Sequence, residues 1–263
     1  MKDQSEFYVG YSGKIGRNTR RSIVTFLSTL GFMIMVFGML FSLSQLPFAN
    51  STFELFNETK VTGIFHQNPY PMLKVEVAPN TYKNILLLGF GKMSVNPYLR
   101  KILKEENDLT GKELSIKGNL IYYDGKALLQ VTDENKIFLT GKESEKKIPK
   151  KVNTGEGTFQ GEIVDPKCYF GVMKPGYGKI HRSCAVLCVS GGIPPVLVVK
   201  SNDSSNRYLL LTDLNGKAIN NKILSHIGKP VEISGDLEKK ENWDLLKVNV
   251  SQIVELNLTS SIY

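Results

Sequence analysis

The sequence carries none of the short motifs that mark common enzyme chemistries. It contains no G-x-S-x-G, no G-x-x-x-x-G-K-[ST], no H-E-x-x-H, no C-x-x-C-H and no C-x-x-C. A nucleophile elbow, a phosphate-cradling loop, a zinc-protease helix, covalent haem and a thioredoxin-type dithiol therefore lack support. The isolated acidic residues of the stretch 58–140 suggest no acid/base pair, and an enzyme is the lesser expectation. Charge of one sign is not concentrated either. The formal net charge is +8, with +3 on residues 1–53 (five Lys/Arg against Asp3 and Glu6) and +5 on the remaining 210. So diffuse an excess does not imply nucleic acid. Low-complexity runs are few, and 41% apolar content over 263 residues suits one large core or two small ones.

One absence is decisive. From Ser22 to Phe53 no residue is charged, and the stretch from 22 to 46 supplies about the 20 apolar positions that span a bilayer as a helix. Residues 22–46 are read as a transmembrane helix; a cleaved signal peptide, with a weak site after Ala49, is the rival. Lys14, Arg17, Arg20 and Arg21 precede the span, so residues 1–21 are expected in the cytoplasm and the bulk of the protein outside it. That places the three cysteines where disulfides are permitted.

Beyond the span, the sequence repeats itself weakly. "GKELSIKGNLIYYDGKALLQV" (111–131) aligns with "GKPVEISGDLEKKENWDLLKV" (228–248): Gly-Lys, alternating apolar residues, a glycine seven places on, a polar turn, then Leu-Leu-x-Val. Each reads as a β-hairpin. Upstream, "NILLLGF" pairs with "RYLLLTD" and "KVTGIF" with "FQGEIV", and short amphipathic helices fall at 96–107 and 220–228. Strand, strand, strand, helix, hairpin is the order of a five-stranded OB-type barrel. The expected fold is mainly β: two tandem OB-like modules at 58–140 and 157–256, joined by a charged linker at 141–156. Trp243 and the tyrosines then read as packing or rim residues, and His66 and His226 as surface or capping histidines.

The symmetry breaks at residues 165–195, where the second module carries an insertion containing every cysteine of the chain. "KIHRSCAVLCVSGG" looks helical up to Gly191, placing His181, Cys184 and Cys188 on one face. Cys168 lies across a turn rich in glycine and proline, Gly171 to Gly178, that can fold it back. Three thiolates and an imidazole suit tetrahedral zinc, and soft thiolates also suit copper(I). Cys168, His181, Cys184 and Cys188 are thus candidate metal ligands, with Asp165 placed to orient His181. Lys167, Lys174, Lys179 and Arg182 make the insertion basic. Two alternatives stay open: a disulfide from Cys168 to a helical cysteine, leaving a spare thiol, and thiol–disulfide chemistry.

The pattern G-x-[IV]-[IV]-D-x-x-C, then H-x-x-C-A-x-x-C-x-x-G-G-x-P, then a closing G-K-x-V hairpin occupies Gly161, Asp165, Cys168, His181, Cys184, Ala185, Cys188, Gly191, Gly192, Pro194, Gly228, Lys229 and Gly235. It resembles a family of small membrane-anchored or exported bacterial proteins without settled activity. The resemblance implies a single-pass protein of the cytoplasmic membrane with its folded part outside, and cysteines and histidine that belong together. The functional expectation is a membrane-tethered metal- or cofactor-binding module, accessory to an envelope electron-transfer or metal-handling complex. A disulfide-stapled scaffold that contacts a protein partner and a thiol oxidoreductase are the alternatives.

Overall fold

The computed structural model describes residues 15–44, 52–106, 108–143, 152–200 and 206–257. Helix α1, Arg17–Ser44, forms a compact unit separate from everything that follows. It covers residues 22–44 of the expected span; 45 and 46 lie outside the described residues. Its 28 residues rise about 42 Å, more than the roughly 30 Å of bilayer hydrocarbon, and none of its side chains is buried. It is long and apolar enough to cross a membrane, a test that a signal sequence also passes.

The remainder is mainly β and closes into two five-stranded barrels. After a short strand β1 (Thr52–Phe53), the first consists of β2 (Thr59–His66), β3 (Met72–Ala78), β4 (Thr81–Gly89), helix α2 (Asn96–Glu105), β5 (Lys112–Tyr123) and β6 (Lys126–Val131). β2 pairs with β3, β3 with β4, β4 in parallel with β6, and β6 with β5, which returns to β2. Strand β7 (Ile137–Glu143) lies on β5. The second barrel repeats the circuit. β8 (Val152–Val164) is followed by the insertion with helix α3 (Gly178–Ser190), then β9 (Val196–Lys200) and β10 (Asn206–Thr212). Helix α4 (Asn220–Ile223), β11 (Pro230–Lys240), β12 (Trp243–Val248) and a short β13 (Val254–Glu255) complete it. β10 pairs in parallel with β12, and β11 closes the ring on β8. A parallel third-to-fifth pairing needs a crossover, and the helices at 96 and 220 supply it. The strands reach into the expected linker from both sides, and 144–151 lie outside the described residues.

The repeated glycines have a physical role. A Cβ on Gly118 would sit 2.4 Å from the Gln130 carbonyl oxygen, and one on Gly235 would sit 2.1 Å from that of Lys247. At these points the fourth strand bends so tightly over the fifth that no side chain fits between them, which closes the barrel.

Each barrel has its own interior. Phe65, Leu73, Leu87, Leu99, Leu114 and Leu129 fill the first, and Ile163, Leu197, Leu209, Leu211, Ile223 and Leu246 the second. A third core joins them. Met72, Leu86, Leu88, Ile121 and Leu128 of the first barrel pack with Val196, Tyr208, Leu210, Trp243 and Leu245 of the second, and Phe170 of the insertion is buried among them. β4 and β10 are therefore covered on both faces, which is why each reads as an unbroken Leu-Leu-Leu run rather than alternating. The contact is reciprocal at the hairpin tips. Asp124, at the β5–β6 turn, accepts a 2.8 Å hydrogen bond from the Tyr208 hydroxyl of β10. Asn242, at the β11–β12 turn, accepts from Asn84 N of β4 at 2.7 Å and donates back to its carbonyl. Lys74 and Glu241 add an ion pair at 3.0 Å, and the Tyr70 hydroxyl donates to the Leu211 carbonyl at 2.6 Å.

Trp243 is fully buried, as a packing residue should be. His66 departs from expectation: it is 7% exposed rather than on the surface, at the end of β2 opposite Met72. Burial, then nearby Lys240 and Lys74, holds its pKa below the ordinary imidazole value.

Candidate metal centre

The insertion leaves β8 at Asp165-Pro166. Asp165 is wholly buried, and its Oδ1 accepts hydrogen bonds from Lys167 N at 2.9 Å and Cys168 N at 3.3 Å. This turn sets the direction of a single π-helical turn, Cys168–Val172, which aims Cys168 inward and seats Phe170 between the barrels. The chain then returns as α3. Its first amide, Gly178 N, donates to the buried Glu162 carboxylate of β8, so an acidic group meets the positive end of the helix. Burial raises the Glu162 pKa, opposed by that hydrogen bond and by Arg182.

α3 presents His181, Ala185, Cys188 and Val189 to the interior, leaves Cys184 half-buried, and exposes Ile180 and Leu187. Its end is fastened twice. Asn220 donates 2.8 Å hydrogen bonds to the carbonyls of Val189 and Ile193, and the first barrel's loop after β4 lies against Gly191, with Ser94 N donating to its carbonyl at 2.9 Å. A Cβ on Gly191 would come within 1.8 Å of the Lys92 carbonyl oxygen. Gly191→Ala must therefore push the loop off the helix end. We expect it to lower stability by about 1–3 kcal/mol, the usual range for overpacking, in denaturant unfolding followed by circular dichroism; an unchanged midpoint would contradict this contact.

The fold brings the expected donors together as two groups that share Cys168. The ligand atoms of Cys168, Cys184 and Cys188 all lie within 4.8 Å of one another, and so do those of Asp165, Cys168 and His181. The three cysteines are free. His181 is 3% exposed and Asp165 is at 0%, and His181 Nε2 faces Asp165 Oδ2 at 3.9 Å, too far for a hydrogen bond. Both atoms are buried with no hydrogen-bond partner. A pair of orphaned polar atoms in a buried interior is costly, and a cation coordinated by both would satisfy them.

The hydrogen bond with Cys188, then burial and the nearby Asp165 carboxylate, raise the Cys168 thiol far above its ordinary pKa. Burial and Cys188 also raise Cys184, with Lys92 acting in the opposite direction. Without an ion these thiols keep their protons, and a metal would bind by displacing them. Of the four basic residues noted in the insertion, Lys167 has the closest relation to the cluster. It is 4% exposed, its ammonium donates to the carbonyls of Gly89 at 2.9 Å and Gly91 at 2.7 Å, and it interacts electrostatically with Asp165, Cys188 and Cys168. Lys174 donates instead to the Tyr169 carbonyl, and Arg182 to that of Gly228. Sequence reasoning missed the first barrel's share. Gly89 and Gly91 lie 78 and 76 residues before Lys167, and with Lys92 they belong to the other repeat, so no spacing rule connects them to the insertion.

No family model matches the chain, and no curated protein matches it. The arrangement thus speaks through its chemistry: a buried set of three thiols, an imidazole and a carboxylate that could hold a metal ion.

Proposed function

We propose that the protein is a single-pass membrane protein of the bacterial envelope whose barrels, outside the cytoplasm, carry a thiolate-rich metal centre. Cys168, His181, Cys184 and Cys188 supply the donors, and Asp165 adds a buried carboxylate beside His181. The ion is zinc or copper, the module binds rather than catalyses, and it serves an electron-transfer or metal-handling complex. One observation carries the reading: three free thiols converge with an unpartnered buried imidazole nitrogen and an unpartnered carboxylate oxygen. Buried polar groups are normally satisfied, and a cation would satisfy these. The apolar α1 and the Lys/Arg-rich segment before it support the anchor and its orientation. The resemblance to anchored bacterial proteins points the same way.

The test is elemental analysis of the full chain purified in detergent without chelator, with free thiols counted on the same sample after unfolding. Stoichiometric metal and three free thiols are expected, and Cys184→Ser should lower the metal content. No metal with a single free thiol would replace this reading with a disulfide-stapled scaffold. No metal with three thiols would favour thiol chemistry.

A further inference from the structure

We propose that the centre has two ion positions bridged by the Cys168 thiolate, a soft one and a harder one. This rests on the metal-binding reading above and specifies its nuclearity. The donors do not gather as one set of four. Within 4.8 Å, His181 groups with Asp165 and Cys168, while Cys184 and Cys188 group with Cys168. A single tetrahedral ion would need every donor pair within about 4 Å, given metal–sulfur and metal–nitrogen bonds near 2.3 and 2.0 Å.

The two positions differ in chemistry. Cys168, Cys184 and Cys188 offer three soft sulfurs, which select copper(I). Asp165, Cys168 and His181 offer oxygen, sulfur and nitrogen, a mixed set suited to a divalent ion such as zinc with one open place. Asp165 Oδ2 and His181 Nε2, the unpartnered buried atoms of this cluster, both belong to the second position. Asp165 Oδ1 is already committed to the turn, leaving Oδ2 as its free donor.

Charge supports the pair. Three thiolates and the Asp165 carboxylate bring four negative charges into a largely buried site. One univalent and one divalent ion bring three positive charges, and the Lys167 ammonium, held by the Gly89 and Gly91 carbonyls, brings the fourth. A lone zinc or copper(I) holding all four of these donors in their ionised form would leave a net negative charge, which is expensive to bury.

The test is to load the full chain in detergent anaerobically with copper(I) and zinc(II) together, desalt it, and measure both metals. About one copper and one zinc per chain are expected. Asp165→Asn, which keeps the Oδ1 acceptor of the turn, and His181→Gln should each lose the zinc and keep the copper, whereas Cys184→Ser should lose the copper. Melting of each variant in chelator, compared with the parent protein, shows whether its fold is intact; where His181→Gln fails to fold, Asp165→Asn carries the test. A single ion that both conservative variants abolish would overturn the two-position arrangement in favour of one four-donor ion. Absence of any metal in the parent protein would instead overturn the metal-binding reading itself.

Discussion

Replacing Cys168 by serine is expected to remove all bound metal, the largest effect of any single substitution in the centre. Cys168 belongs to both donor groups, so its loss takes one donor from each, whereas loss of Cys184 or His181 takes one from a single group. The consequence extends to stability. An ion that binds only the folded chain stabilises it by about 4 kcal/mol when present at a thousand times its dissociation constant. Chelator should therefore lower the unfolding midpoint of the parent protein and leave Cys168→Ser unmoved. The contrast is read by denaturant unfolding with and without chelator; equal sensitivity in both proteins would remove Cys168 from the metal's coordination.

Trp243→Ala is expected to cost about 3–5 kcal/mol, the range for truncating a fully buried large aromatic. Its place in the fold makes the manner of failure informative as well. Trp243 lies in the core between the barrels, with its ring 6.0 Å from that of Phe170 and the Lys126 ammonium 5.2 Å from its centroid. Removing it hollows the joint while leaving the barrel interiors, built from other residues, filled. The barrels should then unfold in two separate transitions in place of one, seen by comparing tryptophan-independent probes such as far-UV circular dichroism and limited proteolysis. A single unshifted transition would mean that the joint contributes little.

Because the joint also forms one wall of the candidate metal centre, the two predictions are physically connected. Lys167 reaches out of the insertion to the loop after β4, and Gly191 receives that loop at the end of α3. Barrel docking and donor placement thus share residues, so a substitution that disturbs one is expected to affect the other.

Much of this was legible locally. The uncharged run after Arg21 marks a helix able to cross a membrane, because composition and length alone decide that property. The paired Gly-Lys hairpins disclosed both barrels, since alternation and turn residues are short-range signals. Helix α3 followed from helical periodicity and the Gly-Gly stop, which also nominated His181, Cys184 and Cys188; the structure buries the first and last and leaves Cys184 half-buried. The Leu-Leu-Leu runs of β4 and β10 also held a signal, because strands with no polar face must be covered on both sides.

What covers them was not legible. The third core, the reciprocal hairpin tips, the burial of His66 and the approach of Gly89, Gly91 and Lys92 to the cysteines all pair residues far apart in the chain. Periodicity describes the faces that one segment offers; it does not say which distant face will meet them. The grouping of donors around Cys168 is of the same kind. Residue types and spacing nominated the ligands, but their division between thiols and the Asp165–His181 pair depends on a π turn, a carboxylate bound to its own backbone and a helix end pinned by the other barrel. The sequence alone therefore determined a helix able to cross a membrane, two barrels and the candidate donors, each a matter of local pattern. The tertiary structure decided how the barrels join and how the donors are shared, because both are settled by long-range packing.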